Sequence, residues 1–339
     1  MSTRIGAALL AAAALAPLAV GESGVALQNM ILAAAYVIMA LGLNIVVGFA
    51  GLLDLGYVAF YAIGAHVAAH FGSTFWSGAF GDGIHLNFLI ILVLAIVATA
   101  LAGVLIGVPT LRLRGDYIGI VTLAFGEIIA QVVSNGRQIE FLGGALTGGP
   151  NGIAGIDRID LPFLEPFGRF DLRPWYWFAL ALLALVLLVN VRLRDSRLGR
   201  AWIAVRDDER VAACAGVPVA RTKLLAYGVG AALGGISGAF LASYLSVVNP
   251  SQFSFSFSIL ILAMVVLGGL GSIWGVVLGA TLLSVFHNYL LPAVLYDVPS
   301  TLGLDINLAV VASGIYGLLL VTLMLLRPAG LLRPPPTGP

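Results

Sequence analysis

Long apolar segments recur along the chain and constrain its fold more than any other feature. Hydrophobic residues make up 60% of the 339 residues, charged residues only 10%, and the mean hydropathy is +1.05. A helix of about 20 apolar residues crosses a bilayer core, whereas membrane barrels show only short alternating segments. We therefore predict a single-domain (residues 1–339), all-α polytopic membrane protein with about ten transmembrane helices, some of them short or broken. The predicted segments are 5–20, 25–48, 51–71, 87–108, 116–134, 174–191, 223–248, 255–270, 274–292 and 306–326.

The distribution of basic residues sets the expected orientation of these segments. Eight of the 17 Lys and Arg residues lie between Arg192 and Lys223, and loops rich in Lys and Arg stay in the cytoplasm. A cytoplasmic loop at 192–222 then places both termini on the same side and residues 135–173 in an external region. Residues 1–20 also have features of a cleavable signal peptide. We expect a retained helix, and its removal would leave the other nine spans oriented as before.

Glycine spacing indicates where helices approach one another closely. Small residues four apart on a helix let two backbones pack together in lipid. Two doubled runs of this kind are Gly230, Gly234 and Gly238, and then Gly271, Gly275 and Gly279. Glycine also interrupts the apolar pattern around 48–64 and around 268–279. One interrupted segment in each half, with five spans per half, is compatible with a five-plus-five inverted repeat of the kind that transporters use.

The loop 192–222 has the pattern of a folded surface segment. Asp207 or Asp208 can accept backbone N–H bonds at the start of a short helix. That helix extends to about Ala215, and Gly216, with a proline two positions later, is typical of a helix end. We therefore expect one or two short helices at the membrane surface, with an apolar side and a charged side. Mixed charge on an ordered segment favours docking of a soluble partner over a simple orientation signal.

Residues 198–227, LGRAWIAVRDDERVAACAGVPVARTKLLAY, resemble the cytoplasmic coupling segment of ABC importer permeases. One departure is that Ala201, Trp202 and Ala204 stand where other importer families show Glu-Ala-Ala. The chain as a whole resembles one family, the LIV-type permeases of branched-chain amino acid importers, over nearly all of residues 25–332. The motifs that carry the resemblance are LNIVVGFAGLLDLGYVAFYAIGAHVAA (43–69), LRLRGDYIGIVTLAFGEII (111–129), LTGGPNGIAGI (146–156), FSFSFSILILAMVVLGGLGSIWGVVLGA (253–280) and RPAGLL (327–332).

The resemblance implies the transmembrane permease subunit of an importer in the bacterial plasma (inner) membrane. Such a subunit pairs with a second related permease, identical or different, and forms the translocation pathway. Two cytoplasmic ATP-binding subunits drive it, and a periplasmic or extracellular binding protein delivers the amino acid. The resemblance assigns ATP and Mg²⁺ to the partner subunits and no enzymatic activity or cofactor to this chain, which contains no GxxxxGK[ST] phosphate loop. The expected ATPase-coupling residues are Gly199, Trp202, Arg206, Asp207, Asp208, Glu209, Arg210 and Gly216.

Polar residues within apolar segments are candidates for the substrate pathway, because each is costly in lipid unless it faces protein or water. Asp54 lies between two glycines, and we expect it to cap a helix near the cytoplasmic interface, with pathway lining as the alternative. Glu127 lies in the middle of a segment, where a neighbouring helix or the pathway is an equally good partner. The candidate pathway residues are Asn44, Asp54, Glu127, Thr147 and Asn151.

Three other functions compete with this interpretation. An ion-coupled secondary amino acid transporter would use intramembrane acids such as Asp54 and Glu127, but it needs no structured docking loop. A urea or short-amide ABC permease closely resembles the same family. A membrane-bound enzyme finds no support, since the four histidines and one cysteine show no metal-ligand spacing. We expect no metal, no disulfide and no nucleic-acid partner, only protein subunits and membrane lipid.

Overall fold

The computed structural model of the protein describes residues 24–111, 113, 117–141, 144–160, 167–168, 171–290, 314, 317–318, 321–322, 325 and 330–332. The predicted segment 5–20 lies outside the described residues, and so does most of the segment 306–326. Eight of the ten predicted segments can therefore be compared with the structure. The arrangement of all ten, including the inverted repeat, stays a prediction.

Helices make up most of the described chain. The α-helices are α1 (Gly24–Leu43), α2 (Val58–Phe71), α3 (Ser77–Phe80), α4 (Phe88–Thr110), α5 (Tyr117–Asn135), α6 (Leu172–Asp195), α7 (Arg197–Asp207), α8 (Glu209–Cys214), α9 (Val219–Leu245), α10 (Phe255–Gly268) and α11 (Ile273–Val285). A π-helical turn, Asn44–Phe49, continues α1, and another, Phe286–Leu290, continues α11.

Five of these helical segments are long and apolar enough to cross a membrane: Gly24–Phe49, Phe88–Thr110, Tyr117–Gln138, Leu172–Asp195 and Val219–Leu245. Three apolar helical segments are shorter: Val58–Phe71, Phe255–Gly268 and Ile273–Asn288. The prediction of an all-α polytopic membrane protein with some short helices is thereby confirmed.

Two interruptions of helical structure lie where glycine spacing predicted them. After the π-helical turn, residues 50–57 run in irregular backbone before α2 begins, so the predicted segment 51–71 starts seven residues too early. Residues 269–272 form the turn between α10 and α11, with positive φ angles at Gly269 (110°) and Gly271 (82°). Glycine adopts this conformation without the steric cost that other residues incur.

The described helices end on two opposite faces. One face, which we call the break face, holds residues 44–57, 196–218, 269–272 and 330–332. The last of these lie against α10, because the Leu331 N–H donates to Leu267 O at 2.8 Å. The loop 192–222 and residues 330–332 thus share one face. Which side of the membrane this face and the two termini occupy stays a prediction.

The other face, which we call the strand face, carries three two-stranded antiparallel ladders. Strand β1 (Gly72–Ser73) pairs with β2 (Ile84–His85), and β3 (Glu140–Phe141) pairs with β4 (Gly144–Ala145). Strand β5 (Ile153–Ala154) pairs with β6 (Val247–Val248). The described residues of the predicted external region 135–173 thereby lie on the face opposite the charged loop.

Helix α9 lies at the centre of the bundle, where glycines bring its backbone against three other helices. A Cβ atom at Gly235 would lie 2.6 Å from Thr99 Cγ2 of α4, and one at Gly230 would lie 2.9 Å from Gly42 O of α1. Gly64 of α2 faces the Gly235 backbone directly. This close approach is the packing that small residues permit in membrane helices.

The six predicted packing glycines divide into two groups. Those at 230, 234 and 238 lie on α9 against α1 and α2, and Gly275 and Gly279 lie on α11 against Gly268 of α10. Gly271 is a correction, because it lies in the turn before α11 rather than in a helix. Spacing alone could not separate a helix contact from a turn.

The strand face contains an exposed ion pair, for which we predict a pH-dependent contribution to stability. His85 Nδ1 lies 2.5 Å from Asp157 Oδ2, and this hydrogen bond and charge raise the pKa of His85 above its ordinary value of 6.5. Because the folded pKa is raised, the contribution is complete below the unfolded pKa and is lost as pH rises through the folded pKa. Thermal unfolding of the protein and of His85→Ala should therefore differ most at mildly acidic pH. A difference that stays constant, or that grows on the alkaline side, would contradict the assignment.

Candidate coupling site and transport pathway

Helix α7 is anchored to the bundle by its buried side. Trp202 is fully buried, and its indole Nε1 donates a hydrogen bond to Thr222 O at 2.8 Å. Gly199 is also buried, and a side chain there would collide with the backbone carbonyls of Leu193 and Arg194. These two predicted coupling residues therefore hold α7 in place and do not face outward.

Helix α8 has the ends that its sequence predicted. Of the two candidate caps, Asp208 is the one used, since its Oδ1 accepts hydrogen bonds from Arg210 N at 2.8 Å and Val211 N at 3.1 Å. These bonds hold the pKa of the Asp208 carboxyl below its ordinary range. At the other end Gly216 follows the C-cap Ala215 with φ of 84°, the left-handed conformation of a helix stop.

An exposed surface of mixed charge results, which we call the α8 surface and define as residues 207–211 and 213–216. Four charged side chains in succession precede Val211, which is 65% exposed. The surface is not loosely attached, because the buried Lys223 of α9 forms an ion pair with Glu209. The α8 surface thus combines an ordered backbone, mixed charge and an exposed apolar side chain, the combination that the sequence interpretation associated with a soluble partner.

Arg206 lies at the end of α7 but extends toward the bundle. Its guanidinium Nη1 donates a hydrogen bond to Gly48 O at 2.6 Å, across 158 positions of sequence. Its side chain is 32% exposed, with Nη2 at 3.5 Å from Asp207 Oδ1. Of the two arginines predicted to contact an ATPase, Arg206 thus extends inward and Arg210 lies on the α8 surface.

Asn44 joins the two helix breaks. It is fully buried, and its Oδ1 accepts a hydrogen bond from the Gly271 N–H at 2.8 Å. This bond connects the π-helical turn after α1 with the turn between α10 and α11. Asn44 was a candidate pathway residue, and the structure places it at a contact between backbone segments of the chain itself.

Asp54 lies in the irregular segment before α2, and the expectation that it caps a helix is wrong. Helix α2 follows Tyr57, where no side chain provides a cap, while Asp54 Oδ1 accepts from Gly56 N at 2.9 Å in a local turn. The carboxyl is buried, and its Oδ2 has no hydrogen-bond partner among the described residues. The next residues attach this segment to α5, since Leu55 N donates to Thr122 Oγ1 at 3.0 Å.

A polar stripe runs along the exposed side of α5. Glu127, Gln131 and Asn135 follow one another at four-residue spacing, which puts them on one side of the helix. All three are exposed, and Asn135 Nδ2 donates to Gln131 Oε1 at 3.2 Å. Glu127 was predicted as a candidate, but its alignment with the other two is visible only once the exposed side of α5 is known.

The segment 146–152 lies on the strand face and contacts α2 and α5. Thr147 is buried, and its hydroxyl donates to Val133 O of α5 at 2.7 Å. His70 Nε2 of α2 lies 2.8 Å from Leu146 O. Asn151, by contrast, is exposed on the strand face. Of the two candidate pathway residues in this segment, Thr147 is used in a contact within the chain and Asn151 is accessible.

A cavity of about 570 Å³ lies beneath this segment, between α2 and α5. Its lining is almost entirely apolar, with His66 and His70 among the few polar side chains. Ligand cavities typically have volumes of about 300–1,000 Å³ and lining of this kind. Val132 borders both this cavity and the shallow groove that contains Glu127.

These features define a polytopic α-helical membrane protein with broken helices and an ordered charged loop on one face. Residues 25–326 match the model of the family described as the branched-chain amino acid transport system / permease component, and the chain belongs to this family.

Curated relatives agree with this assignment. The chain is 40% identical over 302 residues to the high-affinity branched-chain amino acid transport system permease protein LivM of Salmonella typhimurium, and 41% identical over 275 residues to LivM of Escherichia coli. These alignments cover 82% and 74% of this chain, but only 66% and 60% of those relatives' own lengths. The permease protein LivH of the same Salmonella strain is 33% identical over 146 residues, or 42% of this chain and 46% of LivH. No solved structure matches the chain.

Proposed function

We propose that this chain is the permease subunit of an ATP-binding cassette importer for branched-chain amino acids. The observation that carries the proposal is the α8 surface, a capped and ion-paired helix end that presents mixed charge on the break face. A membrane subunit that takes its energy from a soluble motor needs such a surface, and an ion-coupled transporter does not. The relatives LivM and LivH are named as permease proteins of branched-chain amino acid transport, which supports branched-chain amino acids as the substrates.

The break face is then the cytoplasmic side, with both termini on it, and the strand face is the outer side of a bacterial inner membrane. Two ATP-hydrolysing subunits bind the importer on this side and carry the ATP and Mg²⁺, and the α8 surface is this chain's contact with them. This chain binds no cofactor and performs no catalysis. The residues that meet them are Asp207, Glu209 and Arg210, with Asp208 and Gly216 fixing the shape of the surface. An external binding protein docks on the strand face, where Asn151 is accessible.

The translocation pathway follows the polar stripe of α5. A carboxylate in the middle of a membrane helix is costly if it faces lipid, so the side that carries Glu127 faces a second permease subunit and the route between the two. Asn44, Asp54 and Thr147 support this route from within, because each is buried in this chain's own packing. The adjacent apolar cavity suits an aliphatic side chain, which favours branched-chain amino acids over urea or short amides.

Reconstitution of the complete importer tests the proposal. The chain would be placed in proteoliposomes with its second permease, the ATPase subunits and the binding protein, and uptake of labelled leucine, isoleucine and valine would be measured. We expect uptake that requires ATP and the binding protein and that persists when ion gradients are dissipated. Uptake driven by a proton or sodium gradient without ATP would establish a secondary transporter instead, and preference for urea would refute the substrate class.

A further inference from the structure

Three distant parts of the chain meet at one point on the break face. They are the π-helical turn after α1, the end of α7 and the turn between α10 and α11. Arg206 Nη1 contacts Gly48 O at 2.6 Å, and Asn44 Oδ1 contacts Gly271 N at 2.8 Å. We call this cluster of Asn44, Gly48, Arg206 and Gly271 the break junction.

The polar chemistry of the break junction is that of interrupted helices. A helix that ends inside a membrane leaves backbone N–H and C=O groups without partners, and lipid supplies none. Arg206 donates to a carbonyl at the end of the α1 segment, and Asn44 accepts from an N–H at the α10–α11 turn. A hydrogen bond from a charged guanidinium is about twice as strong as one between neutral groups, so the end of α7 is held firmly to the break.

Two glycines leave room for the Arg206 side chain at the break face. A Cβ atom at Gly51 would lie 2.5 Å from Arg206 Cγ, and one at Gly271 would lie 3.1 Å from Nη1. Both glycines have positive φ angles, 69° and 82°, so other residues would also be strained there. Backbone of both breaks therefore lies directly against the Arg206 side chain.

The first break continues the connection to α5. Seven positions after Gly48, Leu55 N donates to Thr122 Oγ1 at 3.0 Å, and Gly56 lies against the backbone of Gly126. Glu127, the residue after Gly126, begins the polar stripe on the exposed side of α5. Contacts therefore run without interruption from the end of α7 to the helix that we assign to the pathway.

We propose that Arg206 is a positioning residue that transmits movement of α7 through the break junction to α5, and that it does not bind the ATPase. The inference rests on the proposed function, since it names how that function's energy reaches the pathway. Arg206 lies on the inner side of the loop and contacts the bundle, whereas Arg210 lies on the α8 surface and is accessible to the ATPase. Removal of Arg206 should separate ATP hydrolysis from transport, whereas removal of Arg210 should weaken subunit binding.

The test uses the assembled importer in proteoliposomes and three readouts: the amount of ATPase subunit bound, ATP hydrolysis stimulated by loaded binding protein, and amino acids taken up per ATP. Arg206→Gln removes the charge and shortens the side chain that carries the hydrogen-bond donor. Arg210→Gln is the matched control. We expect Arg206→Gln to bind the ATPase normally and to hydrolyse ATP, with uptake per ATP lowered about tenfold. Arg206→Lys should recover part of this loss, because it restores a cationic donor.

A second variant reaches the same contact without changing charge. Gly51→Ala places a methyl group 2.5 Å from Arg206 Cγ, too close for both to keep their positions, so it should reproduce the uncoupling. The double variant with Arg206→Gln should be no worse than either alone. Loss of bound ATPase from folded Arg206→Gln or Arg206→Lys would overturn the inference, and so would normal uptake per ATP in either Arg206→Gln or Gly51→Ala. If Arg206→Gln does not fold, the other two variants decide. Loss of bound ATPase from Arg206→Lys, or normal uptake per ATP in Gly51→Ala, would then overturn the inference. Absence of ATP-driven uptake in the unaltered importer would instead refute the proposed function itself.

Discussion

Gly64→Ala should sharply reduce the yield and thermal stability of the folded protein. Gly64 of α2 faces α9 at Gly235, and a Cβ atom would lie 2.8 Å from Gly235 C and closer still to two other backbone atoms of that residue. Backbone of a central helix cannot rotate away as a side chain can, so α2 and α9 must separate. Overpacking of a close-packed interior typically costs about 1–3 kcal/mol, and we expect the upper part of this range because both partners are helix backbones.

The matched control is Gly78→Ala. Gly78 is also helical, but it is exposed, and a methyl group added there would meet no other heavy atom within 4 Å. Thermal unfolding in detergent, followed by size-exclusion profiles, compares the two variants. We expect Gly78→Ala to match the unaltered protein or to be slightly more stable, since alanine favours helix. Equal unfolding midpoints for Gly64→Ala and Gly78→Ala would show that α2 and α9 are not in backbone contact.

Arg210→Glu should remove most of the ATPase from the assembled importer while the permease stays folded. Arg210 lies on the α8 surface, where its backbone N–H, but not its guanidinium, takes part in the helix cap. Reversal of one charge at a docking surface places like charges opposite one another, which costs several kcal/mol. We expect co-purified ATPase to fall about tenfold or more, and uptake to fall with it.

Arg197→Glu is the control for this reversal. Arg197 has the same charge as Arg210 and is also exposed. It is the first residue of α7, and the rise of an α-helix puts it about 15 Å from the end of α7 that leads into the α8 surface. A negative charge there also suits the helix N-terminus. We expect Arg197→Glu to retain its ATPase. Equal loss from both variants would point to a general effect of loop charge, and retention by both would refute docking on the α8 surface.

Local signals in the sequence predicted the local parts of this structure. The cap at Asp208 and the stop at Gly216 follow from residues within a few positions of each other, so a linear pattern contains them. The two helix breaks were likewise visible as glycine-punctuated apolar runs. The start of α2 was misplaced because residues 50–57 are largely apolar, with Asp54 as the one charged residue, and irregular backbone leaves no periodic signal.

Contacts between distant segments set the limit of prediction from sequence. The pairing of Asn44 with Gly271 joins positions 227 apart, and no pattern near either residue indicates the other. The inward direction of Arg206 depends on the rotation of α7, which the burial of Trp202 fixes. Glu127 shows the same limit, because only the packing of α5 reveals that its side of the helix is uncovered.

Two of the helices are shorter than the hydrocarbon core of a membrane. Helices α2 and α10 have 14 residues each, a length of about 21 Å, against a hydrocarbon core of about 30 Å. At least one end of each helix therefore lies at a depth where acyl chains, not water, would otherwise surround the polar backbone. A bilayer thins or the chain tilts to relieve such a mismatch, at a small cost for each ångström. Where that end lies at the break face, lipid composition acts on the same breaks that α7 contacts through Arg206, so acyl-chain length becomes a second influence on their geometry.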